Sequence, residues 1–270
     1  MVLVTGYKVE KRIKDGGFSS VYKGTRISDG KVVALKMVSE AGLRDRAKFR
    51  MFKREVDILG NLKHHYIVDI LEYVTEATRP TIAMDYFDSE NLKTRVMRGD
   101  QVIKSRFIKI FATICEALQF LHENKVVHKD IKPENILVND EGETRLIDFS
   151  LAVKQDFMSK LFGSGRKVQG TPLYMSPEQI RNKALDVRSD IYSLGCTVYE
   201  VLTRRPPHMA QSQEQLLLKH LKENPSPPSQ KDKNIPEDIN IMVMKMLHKN
   251  PDKRPQTPAE ILDLLHTYET

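Results

Sequence analysis

The period of the apolar residues changes once along this chain, near residues 85–91, and that change limits the folds open to it. Residues 7–38 alternate as hairpins, with turn residues at Asp15-Gly16-Gly17 and Ser28-Asp29-Gly30. Residues 32–38 are apolar on both faces, which predicts a central strand. Over 43–60, Phe49, Phe52, Val56 and Leu59 recur every three or four positions and predict one helix. Strand-like runs follow at 67–74 and 81–86. Beyond Asp88 the spacing is helical. Phe107, Ile108, Phe111, Ile114, Leu118 and Leu121 form one stripe over 104–123. Further helices are predicted at 188–203, 212–223, 236–248 and 258–267, punctuated by Pro206-Pro207 and Pro225-Ser226-Pro227-Pro228. The expected class is α+β, with a sheet-rich lobe over about 1–87 and a larger helical lobe over about 88–270.

A hydrophobic fraction of 40% and a charged fraction of 29% place the chain among soluble globular proteins. The formal charge of +7 is spread over helical stretches without a long basic run, so no nucleic-acid partner is expected. Cys115 and Cys196 both sit in apolar segments and read as buried free thiols, which suits a reducing, cytoplasmic setting. No uncharged apolar run reaches about 18 residues, so no membrane span is expected. Residues 1–6 lack the basic start and apolar core of a signal peptide.

Two polar motifs carry the chemistry. His128-Lys129-Asp130-Ile131-Lys132-Pro133-Glu134-Asn135 and Asp148-Phe149-Ser150 place a base, two oxygen ligands for a metal and a lysine on neighbouring loops. Such a set suits moving the terminal phosphoryl group of ATP onto a hydroxyl. That reaction needs positioning, and positive charge against the phosphoryl oxygens. In type, spacing and order these residues resemble the catalytic loop and metal loop of the eukaryotic-type (Hanks-type) serine/threonine protein kinases, with a bacterial-like style toward the C-terminal end. The resemblance covers about 7–268. It implies a single catalytic domain over 1–270 with the two-lobed kinase fold: a small antiparallel-sheet N-lobe carrying one main helix, and a larger helical C-lobe.

The same resemblance implies roles. Asp130 accepts or orients the substrate proton, and Lys132 neutralises the transferred phosphate. Asn135 holds one magnesium ion and Asp148 bridges both, with manganese as a possible substitute. Lys36 holds the α- and β-phosphates, and the carboxylate that pairs with it is Glu55, with Asp57 as the nearest rival. Ile13, Gly16, Val21, Ala34, Lys36, Met84, Asp85, Phe87 and Leu137 are expected around ATP, with Met84 behind the adenine. His128 is expected to pack in an internal column with Phe149, Leu59 and Ile70. Glu178, in the segment 170–178, is expected to pair with Arg254, and Asp190 to receive backbone amides of the catalytic loop. The expected partners are proteins with serine or threonine acceptors, and a second copy of the chain for autophosphorylation, with Ser164 as acceptor. Glu134 is expected to give a mild preference for basic residues before the acceptor; at the second position that could read them stands Asn91, beside Glu90.

Three positions depart from the family pattern. In residues 13–21 only Gly16 fills a family glycine; Lys14 and Ser19 occupy the other two, which predicts a stiffer loop. Lys129 replaces an arginine, giving a point charge in place of a planar fork. Ser150 replaces a glycine and is expected to disfavour any glycine-only geometry there. These changes leave a pseudokinase, a kinase-shaped nucleotide-binding scaffold for signalling, as the alternative.

Overall fold

A computed structural model describes residues 4–75, 79–155 and 169–268. The chain divides into two compact units, Met1–Asp88 and Ser89–Thr270.

The first unit is an antiparallel sheet with helices at its side. Strands β1 (Tyr7–Lys14), β2 (Ser19–Arg26) and β3 (Val32–Val38) precede helices α1 (Glu40–Arg44) and α2 (Arg46–Leu59); strands β4 (Ile70–Val74) and β5 (Thr81–Asp85) follow. The sheet order is β1-β2-β3-β5-β4, so the doubly apolar run is the central strand β3. Its residues alternate between faces. Val33, Leu35 and Met37 enter a cluster with Val4, Tyr7, Val74 and Ala83. Ala34 and Lys36 point the other way. Val21 and Ile82 lie opposite Lys36, and Met84 lies opposite Ala34, so these five side chains share one face.

The helix expected over 43–60 is two helices. Asp45 ends α1, and its carboxylate accepts the Ala47 and Lys48 amides at 3.0 and 3.1 Å to start α2. The strand expected from 67 begins at Ile70, because the Ile67 amide is turned back onto the His64 carbonyl at 3.1 Å.

The second unit is mainly helical. Strand β6 (Glu90–Asn91) leads into α3 (Leu92–Arg98), α4 (Gln101–Ser105) and α5 (Phe107–Glu123). Short strands β7 (Val126–Val127), β8 (Ile136–Val138), β9 (Thr144–Leu146) and β10 (Val153–Lys154) follow. Helices α6 (Pro177–Ile180), α7 (Val187–Thr203), α8 (Gln213–Lys222), α9 (Glu237–Met246) and α10 (Pro258–His266) complete it. The four distal helices fall within two residues of their expected bounds. Helices α3 and α4 were not anticipated; Asn91 and Asp100 cap them. Helix α7 is buried along most of its length, Cys196 included, and Cys115 is buried in α5; both thiols are free. At Gly195 a Cβ would lie 2.8 Å from the Cβ of Met246, so glycine lets α7 and α9 approach closely. No helix among the described residues is long and apolar enough to cross a membrane.

Candidate active site

In the first unit, the shared face of the sheet presents Lys36 to α2. Its Nζ donates to both carboxylate oxygens of Glu55 at 2.7 Å, and the two residues are 6% and 1% exposed. Glu55 and Phe52 lie on the buried stripe of α2, whereas the rival Asp57 is exposed. A buried ammonium needs such a partner, since desolvation would otherwise favour its neutral form. Ala34 and Val21 are half-buried beside Lys36, Met84 is buried, and Asp85 and Phe87 are half-buried past the end of that face. Ile13 lies exposed on β1, next to Lys14, which pairs with Val21, and Gly16 lies in the exposed β1–β2 turn. The turn is stapled by Asp15, which accepts from Ser20 Oγ at 2.8 Å and from an Arg12 Nη at 2.9 Å. At Gly16 a Cβ would meet the Ser19 carbonyl at 2.8 Å, so this glycine is required for the close turn itself.

In the second unit, the loop between β7 and β8 gathers four polar side chains. Lys132 Nζ donates to Asp130 Oδ2 at 2.5 Å and to Thr171 Oγ1 at 2.6 Å, and Thr171 Oγ1 donates to Asp130 Oδ1 at 2.9 Å. Asn135 donates through Nδ2 to the Asp130 backbone carbonyl at 2.9 Å and to its carboxylate at 3.1 Å. That fixes the amide orientation and leaves Asn135 Oδ1 buried with no hydrogen-bond partner among the described residues. A buried oxygen left this way costs about 1–3 kcal/mol, and a hard cation is the partner its chemistry fits. Asp148 follows β9 in the left-handed region at φ 65°, and the neighbouring Ile147 amide donates to the Asn135 backbone carbonyl at 2.9 Å. This bond ties the loop of one oxygen donor to the other. Leu137 is half-buried on β8.

The loop is clamped from below. Asp190, on α7, accepts the His128 and Lys129 amides at 2.7 and 2.8 Å, as expected from the sequence. Burial raises the Asp190 pKa to about 7, against the opposing pull of those two amides. His128 is fully buried, edge-on to Phe149 at 4.6 Å, and burial lowers its pKa to about 4. It packs as a neutral ring in the core of this unit. Leu59 and Ile70 of the expected column belong to the first unit. Glu178 and Arg254 form the expected buried pair, with Nη–Oε distances of 2.7 and 2.9 Å, and Ser189 Oγ adds a bond to Glu178 at 2.8 Å.

Several contributors escaped the sequence reading. Ser176 and Gln179 form a capping box on α6, and Gln179 Nε2 also donates to the Lys129 carbonyl at 2.8 Å. The Ser-x-x-Gln spacing at 176–179 carried that signal. Lys93 pairs with Glu200, which also accepts from Tyr174 OH at 2.6 Å; no motif marks this contact. Of the residues expected to read basic substrates, Glu90 is paired with Arg98 at 2.6 Å and Asn91 caps α3. Ser150 is absent from the residues with positive φ, so its backbone needs no glycine and carries no strain from the replacement. Lys129 does take positive φ, 70°. Ser164 lies outside the described residues.

The protein kinase domain family model matches residues 7–266. Among curated proteins, the chain is 33% identical over 268 residues to serine/threonine-protein kinase PknB of Mycolicibacterium smegmatis, covering 97% of this chain and 43% of that protein. It is 35% identical over 258 residues to PknB of Mycobacterium leprae, covering 94% and 41%. It is 33% identical over 264 residues to a probable serine/threonine-protein kinase of Clostridium acetobutylicum, covering 98% and 40%. The chain thus spans about two fifths of the length of these relatives.

Proposed function

The chain belongs to the protein kinase domain family, and on that premise we propose that it transfers the γ-phosphoryl group of ATP to serine and threonine hydroxyls of protein substrates. The observation that carries this reading is the Asp130–Lys132–Thr171–Asn135 constellation with its orphaned Asn135 Oδ1.

Asp130 accepts the hydroxyl proton as the acceptor oxygen attacks the γ-phosphorus, whose bond to the β–γ bridging oxygen breaks and releases ADP. Thr171, which holds one Asp130 oxygen, orients that carboxylate and borders the acceptor. Lys132, between Asp130 and Thr171, offsets the charge on the moving phosphoryl group. Lys36, held by Glu55, takes the α- and β-phosphates. Asn135 and Asp148 would hold the divalent metal, for which we favour Mg2+ with Mn2+ as substitute, and which would draw charge from the phosphate oxygens. Ile13, Gly16, Val21, Ala34, Met84, Asp85, Phe87 and Leu137 are assigned to nucleotide contacts. We place the reaction in the cytoplasm, where two buried free thiols stay reduced. The acceptors include a second copy of this chain. Glu134, the remaining carboxylate of those expected to read basic residues, is half-buried with its Oε2 unpartnered among the described residues, and we assign it a mild preference for basic residues before the acceptor.

The test is incubation with ATP and Mg2+ and a generic protein substrate, with phosphosites mapped by mass spectrometry and the Asp148→Asn variant alongside. Serine and threonine phosphorylation lost in the variant is the expected result. Nucleotide binding with no transfer by the wild-type chain would overturn the reading and leave the scaffold alternative.

A further inference from the structure

The second unit contains a cavity of about 680 Å³ distant in sequence from the catalytic loop. Its walls come from the end of α6 and from the segment after α9, and they include Glu178, Arg181, Lys183, Lys249 and Asp252. The charges on this wall do not cancel. Glu178 is neutralised by the two-pronged contact with Arg254, and Asp252 shares Arg188, at 2.7 Å, with Asp186. Arg181 and Lys183 are exposed and have no ion-pair partner among the described residues. Lys249 is half-buried, and the partners of its Nζ are neutral: Tyr192 OH at 3.2 Å and His208 Nε2 at 3.3 Å. Glu223, a carboxylate that acts on Lys249 electrostatically, is also engaged by Lys219 at 3.6 Å. Burial, reinforced by the nearby Arg254 charge, pulls the Lys249 pKa down to about 8. Both carboxylates on the wall therefore have a cationic partner, while none of these three cations is paired with a carboxylate among the described residues.

We propose that this cavity is a binding site for a phosphate-class oxyanion, carried on a phosphorylated side chain or free in solution. Arg181 supplies the planar fork that suits a phosphoryl group, and Lys183 and Lys249 supply charge. The site adjoins the anchor of the segment 170–178: the Lys183 amide donates to the Glu178 carbonyl at 2.9 Å, and Glu178 is the residue locked to Arg254. An occupant would therefore rest against the element that holds Thr171 beside Asp130. The proposal does not depend on the phosphotransfer reading, because binding is measured without nucleotide.

The experiment is calorimetric titration of the whole chain with three probes: a neutral peptide bearing one phosphoserine, its unphosphorylated twin, and inorganic phosphate. Each is repeated on an Arg181→Ala/Lys183→Ala variant, whose changes lie on the exposed surface and leave the fold intact by circular dichroism. We expect the phosphorylated probe to bind, its twin not to bind, and the variant to lose at least tenfold in affinity. Binding of inorganic phosphate alone, lost in the variant, supports the site and names the free ion as its source. Equal affinity of variant and wild type, or equal binding of both peptides, would overturn it. Phosphate held only at the catalytic residues would show as binding that the variant retains.

Discussion

At the scale of single residues, the site rests on buried polar groups whose partners are countable. Lys36 and Glu55 are matched, so changing either leaves the other stranded in the core. Lys36→Met and Asp148→Asn are each expected to reduce transfer by at least ~10²–10³-fold, the range seen when one preorganised electrostatic partner is removed. Thermal unfolding should show both variants folded. Full activity in either, with an unchanged midpoint, would remove that residue from the proposed roles. The resemblance to the protein kinases supplied both of these residues, and Glu55 followed because a lysine inside an apolar strand needs a carboxylate on the next apolar stripe. The sequence did not supply Lys93, Glu200 or Gln179. Their contacts join residues 107 and 50 positions apart, a distance at which no local pattern operates.

At the scale of elements, helix caps and one buried ion pair set how the loops are held. Removing Glu178 would leave the Arg254 guanidinium buried and uncompensated, so Glu178→Ala should destabilise the chain by about 3–5 kcal/mol. The double replacement Glu178→Met/Arg254→Leu should cost less than that single change, as urea unfolding would show. A larger loss in the double variant would mean that the other Arg254 contacts, to the carbonyls of Arg188, His248 and Lys249, matter more than the pair. Ser176→Ala removes one half of the α6 capping box and should cost about 1 kcal/mol. Because Gln179 also holds the Lys129 carbonyl, the same variant should lower kcat more than it raises KM. Unaltered kcat would confine Ser176 to a structural role.

At the scale of the molecule, the core of the helical unit holds ionisable groups that make its stability depend on pH. Burial lowers the pKa of His208 to about 4 and of His220 to about 3, both from 6.5. Below pH 6.5 the unfolded chain takes up protons at these two positions while the folded chain does not, so stability falls as the pH drops toward 4. Asp190 acts the other way: its raised pKa makes the folded chain hold a proton between 3.8 and about 7. With His128, lowered to about 4, three imidazoles stand against one carboxyl and leave a net loss on acidification. Between pH 7 and 5 the melting temperature should therefore fall, each kcal/mol lost lowering it by about 2–4 °C. His208→Phe should flatten that limb. An acid limb of equal steepness in the variant would assign the loss to other groups.

From the sequence, the fold class and the central place of β3 follow from local periods, and the Lys36–Glu55 pairing from the demand that a buried charge meet its opposite; the Glu178–Arg254 pairing and the roles expected of the loops at 128–135 and 148–150 follow from the resemblance to the protein kinases. The sequence pattern runs α1 and α2 together, because Asp45 breaks the helical run by capping α2, and it begins β4 three residues early, because the Ile67 amide is turned back onto the His64 carbonyl. Only tertiary structure decided that Ser150 needs no glycine geometry, that Glu90 is engaged by Arg98, and that three cations on one cavity wall pair with no carboxylate among the described residues. Those outcomes depend on which side chains distant segments bring within hydrogen-bonding reach, and that is set by the packing of the whole unit.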